Sequence, residues 1–187
     1  VGILEGEEYS EPEEGTVQGS VLSPLLGNVF LHHVLDLWVE RDVLPRLEGK
    51  AHLIRYADDF VMVFEREDDA KRVWGVLRQR FERYGLTLHP DKTRLIPFER
   101  PPRDAGGKGP ATFDFLGFTV RWQRGQKGWW RPSFTTRKAS LSRALVALND
   151  WCRSHRHLPV REQHATLKRK LAGHFNYFGV NGNSRSL

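Results

Sequence analysis

Asp58 and Asp59 stand side by side between the apolar runs HLIRY (52–56) and FVMVF (60–64). Adjacent carboxylates repel, and burying them unpaired is costly. They are tolerable at a solvent-reached turn between two strands, above all where a divalent cation neutralises them. Mg²⁺ suits such a place, because it takes one or two carboxylates, keeps several waters and binds substrate phosphates. Two such ions, about 3.5–4 Å apart, serve phosphoryl transfer by stabilising the attacking and leaving oxygens. The plain alternative is a polar hairpin turn with solvated acids, and the pair alone does not separate the two.

The elements that must position this pair can be read on either side of it. Ser23 as N-cap, Pro24 in the first turn, and Leu31, Val34, Leu35 and Trp38 at helical spacing predict a helix over 23–44. Leu26, Val29 and Phe30 widen its apolar surface, so it is expected to be largely buried. Residues 52–56 and 60–64 predict two short strands, the second apolar at every position and so expected to be covered on both faces. Ala70, Val73, Trp74, Leu77, Phe81 and Tyr84 predict a helix over 69–84, capped by Asp68 or Asp69 and stopped by Gly85. The acidic run EGEEYSEPEE (5–14) reads as a hairpin edge or loop. Extended pieces are expected at 86–88, 93–97 and 113–122, with a Pro/Gly-rich loop before the last. Leu141, Leu145, Leu148 and Cys152 mark one further helix, and His164, Leu167, Leu171 and Phe175 another. The fold class expected is α+β, with strands and helices over 1–132 followed by a helical segment over 133–187.

Charge is divided unevenly. Residues 1–120 hold 15 Lys/Arg against 21 Asp/Glu, whereas residues 121–187 hold 14 against 2. The basic part is interleaved with Trp122, Trp129, Trp130, Phe134, Trp151, Phe175, Tyr177 and Phe178, which reads as a polyanion-binding half. Solvated helices that happen to be basic are the alternative. No apolar run approaches the roughly 20 residues of a membrane-spanning helix, so no membrane partner is expected. Cys152 is the one cysteine, which excludes an internal disulfide. His155, His157, His164 and His174 lack the spacing of a zinc site.

Five blocks in order resemble the bacterial group II intron-encoded reverse transcriptase/maturase family. They are GTVQGSVLSPLLGNVFLH (15–32), YADD (56–59), GLTLHPDKTRLI (85–96), FDFLGF (113–118) and the ending NYFGVNGNSRSL (176–187). The resemblance implies a reverse-transcriptase palm portion, an antiparallel sheet with packed helices, followed by the start of a helical thumb or maturase segment. It implies RNA-directed DNA synthesis with a role in intron splicing. Asp58 and Asp59 would ligate Mg²⁺, and Lys92 would approach the nucleotide's phosphates. Gln18 and Gly19, with Tyr56 and Ala57, would line the nucleotide and template pocket. Phe115, Leu116, Gly117 and Phe118 would hold the primer's end. Arg137, Lys138, Arg143, Lys168, Arg169 and Lys170 would follow the phosphates of bound nucleic acid. The implied partners are an RNA template or intron RNA, a DNA primer and deoxynucleoside triphosphates, in the bacterial cytoplasm.

The chain departs from the family pattern at Val17 and Ser20, where Pro and Gly are common. The family's third carboxylate lies on a strand upstream of the Gln-Gly loop, and the acids between Glu5 and Glu14 match no such motif. The expectation is therefore a fragment without fingers or first catalytic Asp, inactive alone. A third reading is a relative such as a retron or CRISPR-associated reverse transcriptase, against which the FLGF block and the ending favour the intron type. The alternative function is a non-catalytic RNA-binding splicing cofactor or a degenerate remnant.

Overall fold

The computed structural model describes residues 3–5, 8–10, 22–103, 111–125 and 127–184. It divides into two compact units, Val1–Leu95 and Ile96–Leu187. The division expected after residue 132 falls inside a strand of the second unit. Among the described residues there are helices and three small antiparallel sheets, a mixture compatible with an α+β fold. Among the described residues no helix is long and apolar enough to cross a membrane.

In the first unit, β1 (Ile3–Glu5) pairs with β2 (Glu8–Ser10), so part of the acidic run is a hairpin edge. Next comes α1 (Ser23–Leu31), which continues through π-helical segments at His32–Asp36 and Val39–Val43 and a 3₁₀ turn at Leu44–Arg46. Leu22 takes the N-cap position, Ser23 begins the helix, and no side chain bonds as a cap. The helix is buried in its second half only. Val34, Leu35, Val39 and Val43 are buried, whereas Leu25, Leu26, Val29 and Phe30 are exposed. Five-residue π spacing brings Val34 and Val39 onto one face. The earlier apolar residues have no such cover.

β3 (Ala51–Tyr56) and β4 (Asp59–Phe64) form a hairpin in which Leu53 faces Met62 and Tyr56 faces Asp59. α2 (Glu67–Glu82) follows. Val73, Leu77 and Phe81 of α2 close a core with the buried residues of the first helix, and Leu53, Phe60, Met62 and Phe64 pack against it. Only this face of the hairpin is packed. Ile54, Tyr56 and Val63 point the other way and are exposed, so the expected burial on both faces is corrected. Alternation explains the outcome: one layer of helices covers one side of a pleated ribbon.

Asp69 does not cap α2. It is 1% exposed and accepts hydrogen bonds from the Glu48 and Gly49 amides at 3.1 and 2.8 Å, and it pairs with Arg72. It thereby fixes the turn into β3. Gly85, at φ +70, ends α2 as expected, and the Leu86 amide reaches back to the Phe81 carbonyl at 3.0 Å. Leu86 and Leu88 pack on the core without entering a sheet, and 93–97 is likewise irregular, so neither piece is a strand.

The second unit is built on a three-stranded meander of β5 (Thr112–Phe115), β6 (Phe118–Arg124) and β7 (Trp130–Thr136). The segment before β5 is tied to the sheet by two indoles. Trp122 donates to the Phe98 carbonyl and Trp130 to the Pro102 carbonyl. α3 (Lys138–His155) and α4 (Val160–Phe178) follow. The less exposed side of α3 carries Leu141, Ala144, Leu148, Trp151 and His155, while Leu145 and Cys152 are exposed. Leu171 and Phe175 of α4 are also exposed, so the expected apolar stripes are uncovered in part. Asn183, fully buried, bridges the end of β7 and the end of α4.

Candidate functional site

The β3–β4 turn is a two-residue connection, Ala57-Asp58, closed by the Tyr56–Asp59 pair. Ala57 has φ +53 and Asp58 is not in the positive region, the pattern of a type II′ turn. Such turns match the strand twist but favour glycine at the first position, so Ala57 sits there under strain. Asp58 and Asp59 both lie exposed at this tip, and Tyr56 beside them is 68% exposed. Among the described residues neither aspartate is in an ion pair with a Lys or Arg.

What holds the tip is Arg55. Its Nε and Nη2 donate to Asp36 Oδ1 and Oδ2 at 2.8 and 2.6 Å. Its Nη1 donates to the Ala57 carbonyl at 2.8 Å and to Asn28 Oδ1 at 2.9 Å. Asn28 is held in turn, since its amide donates to the Pro24 carbonyl at 3.0 Å. One planar guanidinium thus ties the turn's backbone to two points of the first helix. The Arg55 and Asp36 side chains are 13% and 27% exposed, so solvent screens the pair only in part. The Arg55 hydrogen bonds hold the Asp36 carboxyl below its ordinary range against the opposing effect of burial, with a smaller contribution from His32.

Arg55 and Asp36 were not legible as site residues from spacing alone. One signal was available. Arg55 lies two residues after Leu53 and so shares the core-facing side of β3, where a cation needs an acid on the covering helix.

The other expected site residues are distributed as follows. Lys92 stands exposed at the end of a turn in which the Thr93 amide donates to the His89 carbonyl. Gln18 and Gly19 lie outside the described residues. In the second unit, Phe115, Leu116, Gly117 and Phe118 form the β5–β6 turn, with Leu116 at φ +49 and Gly117 at φ +78. That turn is buttressed from α4. The Tyr177 hydroxyl donates to the Leu116 carbonyl at 2.9 Å, and Phe118 stacks on Tyr177 with ring centres 5.8 Å apart. A Cβ on Gly117 would meet the Phe178 ring at 3.5 Å. Arg137 joins the same place, as its amide donates to the Gly117 carbonyl and its guanidinium pairs with Asp114 at 3.0 Å. Lys138 and Arg143 on α3, and Lys168, Arg169 and Lys170 on α4, are exposed. The Lys170 ammonium lies 6.0 Å from the Trp151 ring centre on α3.

Chemically, the first unit offers two unpaired carboxylates at an exposed, braced turn. Their donor set is all oxygen and suits a hard divalent cation that keeps part of its water. No third His, Cys, Asp or Glu joins them in a metal-binding group among the described residues. The second unit offers exposed cations on α3 and α4, which suit phosphate, and an aromatic turn buttressed by Tyr177.

Comparison with protein families gives a match over residues 3–120 to the family described as reverse transcriptase (RNA-dependent DNA polymerase). Among curated proteins nothing matches.

Proposed function

The chain belongs to the reverse transcriptase (RNA-dependent DNA polymerase) family, and on that premise we propose that it is part of a polymerase centre of the group II intron type, with an added role in intron RNA splicing. The braced, unpaired pair Asp58 and Asp59 is the observation that carries the reading. Sequence blocks 15–32, 85–96, 113–118 and 176–187 support the intron type.

On this reading the first unit is palm. Asp58 and Asp59 hold Mg²⁺, which when bound lowers the cost of charge developing on the reacting phosphate. The Arg55 clamp keeps the turn carbonyl fixed, so the two carboxylates need little reorganisation when a cation and substrate arrive. Tyr56, exposed on the same hairpin face as Asp59, offers a ring surface beside them. Lys92 neutralises nucleotide phosphate charge. Gln18 and Gly19 belong to the nucleotide and template pocket, where glycine permits close backbone approach. The β5–β6 turn, stiffened by Tyr177, supports the primer's end. The exposed cations of α3 and α4 follow the backbone of template or intron RNA without reading its sequence.

The reaction is attack of a primer 3′-hydroxyl on the α-phosphate of a deoxynucleoside triphosphate. One P–O bond forms, the bond to the leaving pyrophosphate breaks, and the hydroxyl proton passes to solvent. The test is primer extension on an RNA template by the protein that carries this chain, alongside Mn²⁺ binding to the chain itself. Asp58→Asn and Asp59→Asn should abolish extension and weaken Mn²⁺ binding while RNA affinity stays. Undiminished synthesis in both variants refutes the reading.

A further inference from the structure

The far end of the β6–β7 hairpin carries a feature that the proposed polymerase centre leaves unused. Trp129 is 52% exposed and forms the shared wall of two clefts. One, of about 360 Å³, is lined by Gly125, Lys127, Trp129 and Arg131. The other, of about 240 Å³, is lined by Arg100, Pro101, Arg103, Trp129 and Trp130. The guanidinium carbons of Arg103 and Arg100 lie 4.7 and 5.9 Å from the Trp129 ring centre.

The arrangement is built in. The Gly125 amide donates to the Trp129 carbonyl and the Gly128 amide to the Gly125 carbonyl, both at 2.9 Å, with Gly128 at φ +76. Arg124 donates to the Arg103 carbonyl at 2.8 Å, and Trp130 to the Pro102 carbonyl at 2.9 Å, so the segment carrying Arg100 and Arg103 is pinned beside the hairpin. An exposed indole thus stands on a fixed turn between two basic clefts, with Arg100 and Arg103 against its ring. Residues 115–149 contain no Asp or Glu.

We propose that Trp129, with Arg100, Arg103, Lys127 and Arg131, binds an unpaired segment of RNA, one base stacking on the indole and the flanking phosphates meeting the cations. The choice of RNA rests on the polymerase reading, in which RNA is the template. The choice of an unpaired segment rests on the ring, because a duplex hides its base faces and only a splayed base can stack. Aromatic platforms between cations bind single strands with little sequence preference.

The test is fluorescence anisotropy of the whole chain with a labelled, unstructured 12-nucleotide RNA, its duplex, and a copy abasic throughout. Trp129→Ala should weaken single-strand binding about tenfold, leave duplex and abasic binding within about twofold, and be largely rescued by Trp129→Phe. Lys127→Gln, at an exposed site, should reduce the slope of log affinity against log salt by about 0.7. Equal loss on the intact and abasic strands overturns the stacking site, as does an unchanged affinity in Trp129→Ala. A DNA strand of the same sequence that binds more tightly, with the larger dependence on Trp129, also overturns it. Such failures leave untouched the Asp58- and Asp59-dependent synthesis that tests the polymerase reading.

Discussion

Arg55 on β3 grips Asp36 on the first helix with two nitrogens on two oxygens, at 2.8 and 2.6 Å, and spends a third nitrogen on the carbonyl of Ala57. The hairpin that carries Asp58 and Asp59 is therefore anchored by charge as well as by packing. Arg55→Met should cost about 2–3 kcal/mol, since it removes charged hydrogen bonds and strands a half-buried carboxylate. Arg55→Lys should recover only part, because an ammonium cannot reproduce the planar fork. Urea unfolding gives the stability, and Mn²⁺ binding reads the turn. If Arg55→Met keeps wild-type Mn²⁺ affinity, the clamp does not order the carboxylates.

Ala57 offers a cleaner probe of the same turn. Its φ of +53 costs an L-residue about 1–2 kcal/mol, and glycine removes that cost while adding some unfolded-state entropy. Ala57→Gly should therefore stabilise the chain by up to about 1 kcal/mol. Ala57→Val should destabilise it, because a β-branched side chain is the worst choice there. Thermal melts of the three proteins in that order check the turn assignment.

Acid should loosen the first unit in a defined window. Three carboxyls of the first unit titrate below their ordinary range in the folded chain: exposed Glu67, bonded by Lys71, and the more sheltered Asp36 and Asp69. Asp36 does so through the Arg55 bonds, and Asp69 through the Gly49 amide first, then Arg72 and the Glu48 amide, against burial. A folded-state pKa below the unfolded one gives stability that is complete above the unfolded value, about 3.9, and is lost as pH falls through the folded value. The urea midpoint should thus hold from neutral pH to about 5 and decline below about 4. Asp69→Asn should be less stable than wild type at neutral pH, and the gap should narrow on acidification. A gap that is constant with pH would mean Asp69 is not a stabilising anion.

Much of this architecture is legible along the chain, and the illegible part has one cause. Apolar spacing reveals α2, and Gly85 marks its end, because both are local. The strands around Asp58 and Asp59 show in their β-branched and aromatic content. The Arg55–Asp36 pair spans 19 residues and the Asp69–Gly49 bond 20, so no local pattern announces either. Asp69 even carries a misleading local signal, since an acid near a helix start reads as a cap. Equally, the apolar run FVMVF cannot say whether one or two layers cover it, which depends on elements far along the chain.

Asn183 tests the second unit. It is fully buried, accepts from the Thr136 amide at 2.9 Å, and donates to the Thr136 hydroxyl and the Phe178 carbonyl, both at 2.8 Å. Asn183→Ala leaves a buried amide and carbonyl unpaired and should cost about 2–3 kcal/mol. Asn183→Asp keeps the shape but replaces the donor with a second acceptor, facing the Phe178 carbonyl in a site without solvent. Burial and that carbonyl must raise the folded-state pKa of the new carboxyl. Its penalty is then full at neutral pH and shrinks as pH falls through that raised value, where a protonated acid donates to the carbonyl again. Thermal melts followed by near-ultraviolet circular dichroism should show Asn183→Ala displaced by a similar amount at every pH, and Asn183→Asp approaching wild type in acid. Parallel behaviour of the two variants would mean that the Phe178 carbonyl does not need a donor, and that the end of α4 is held to β7 by packing alone.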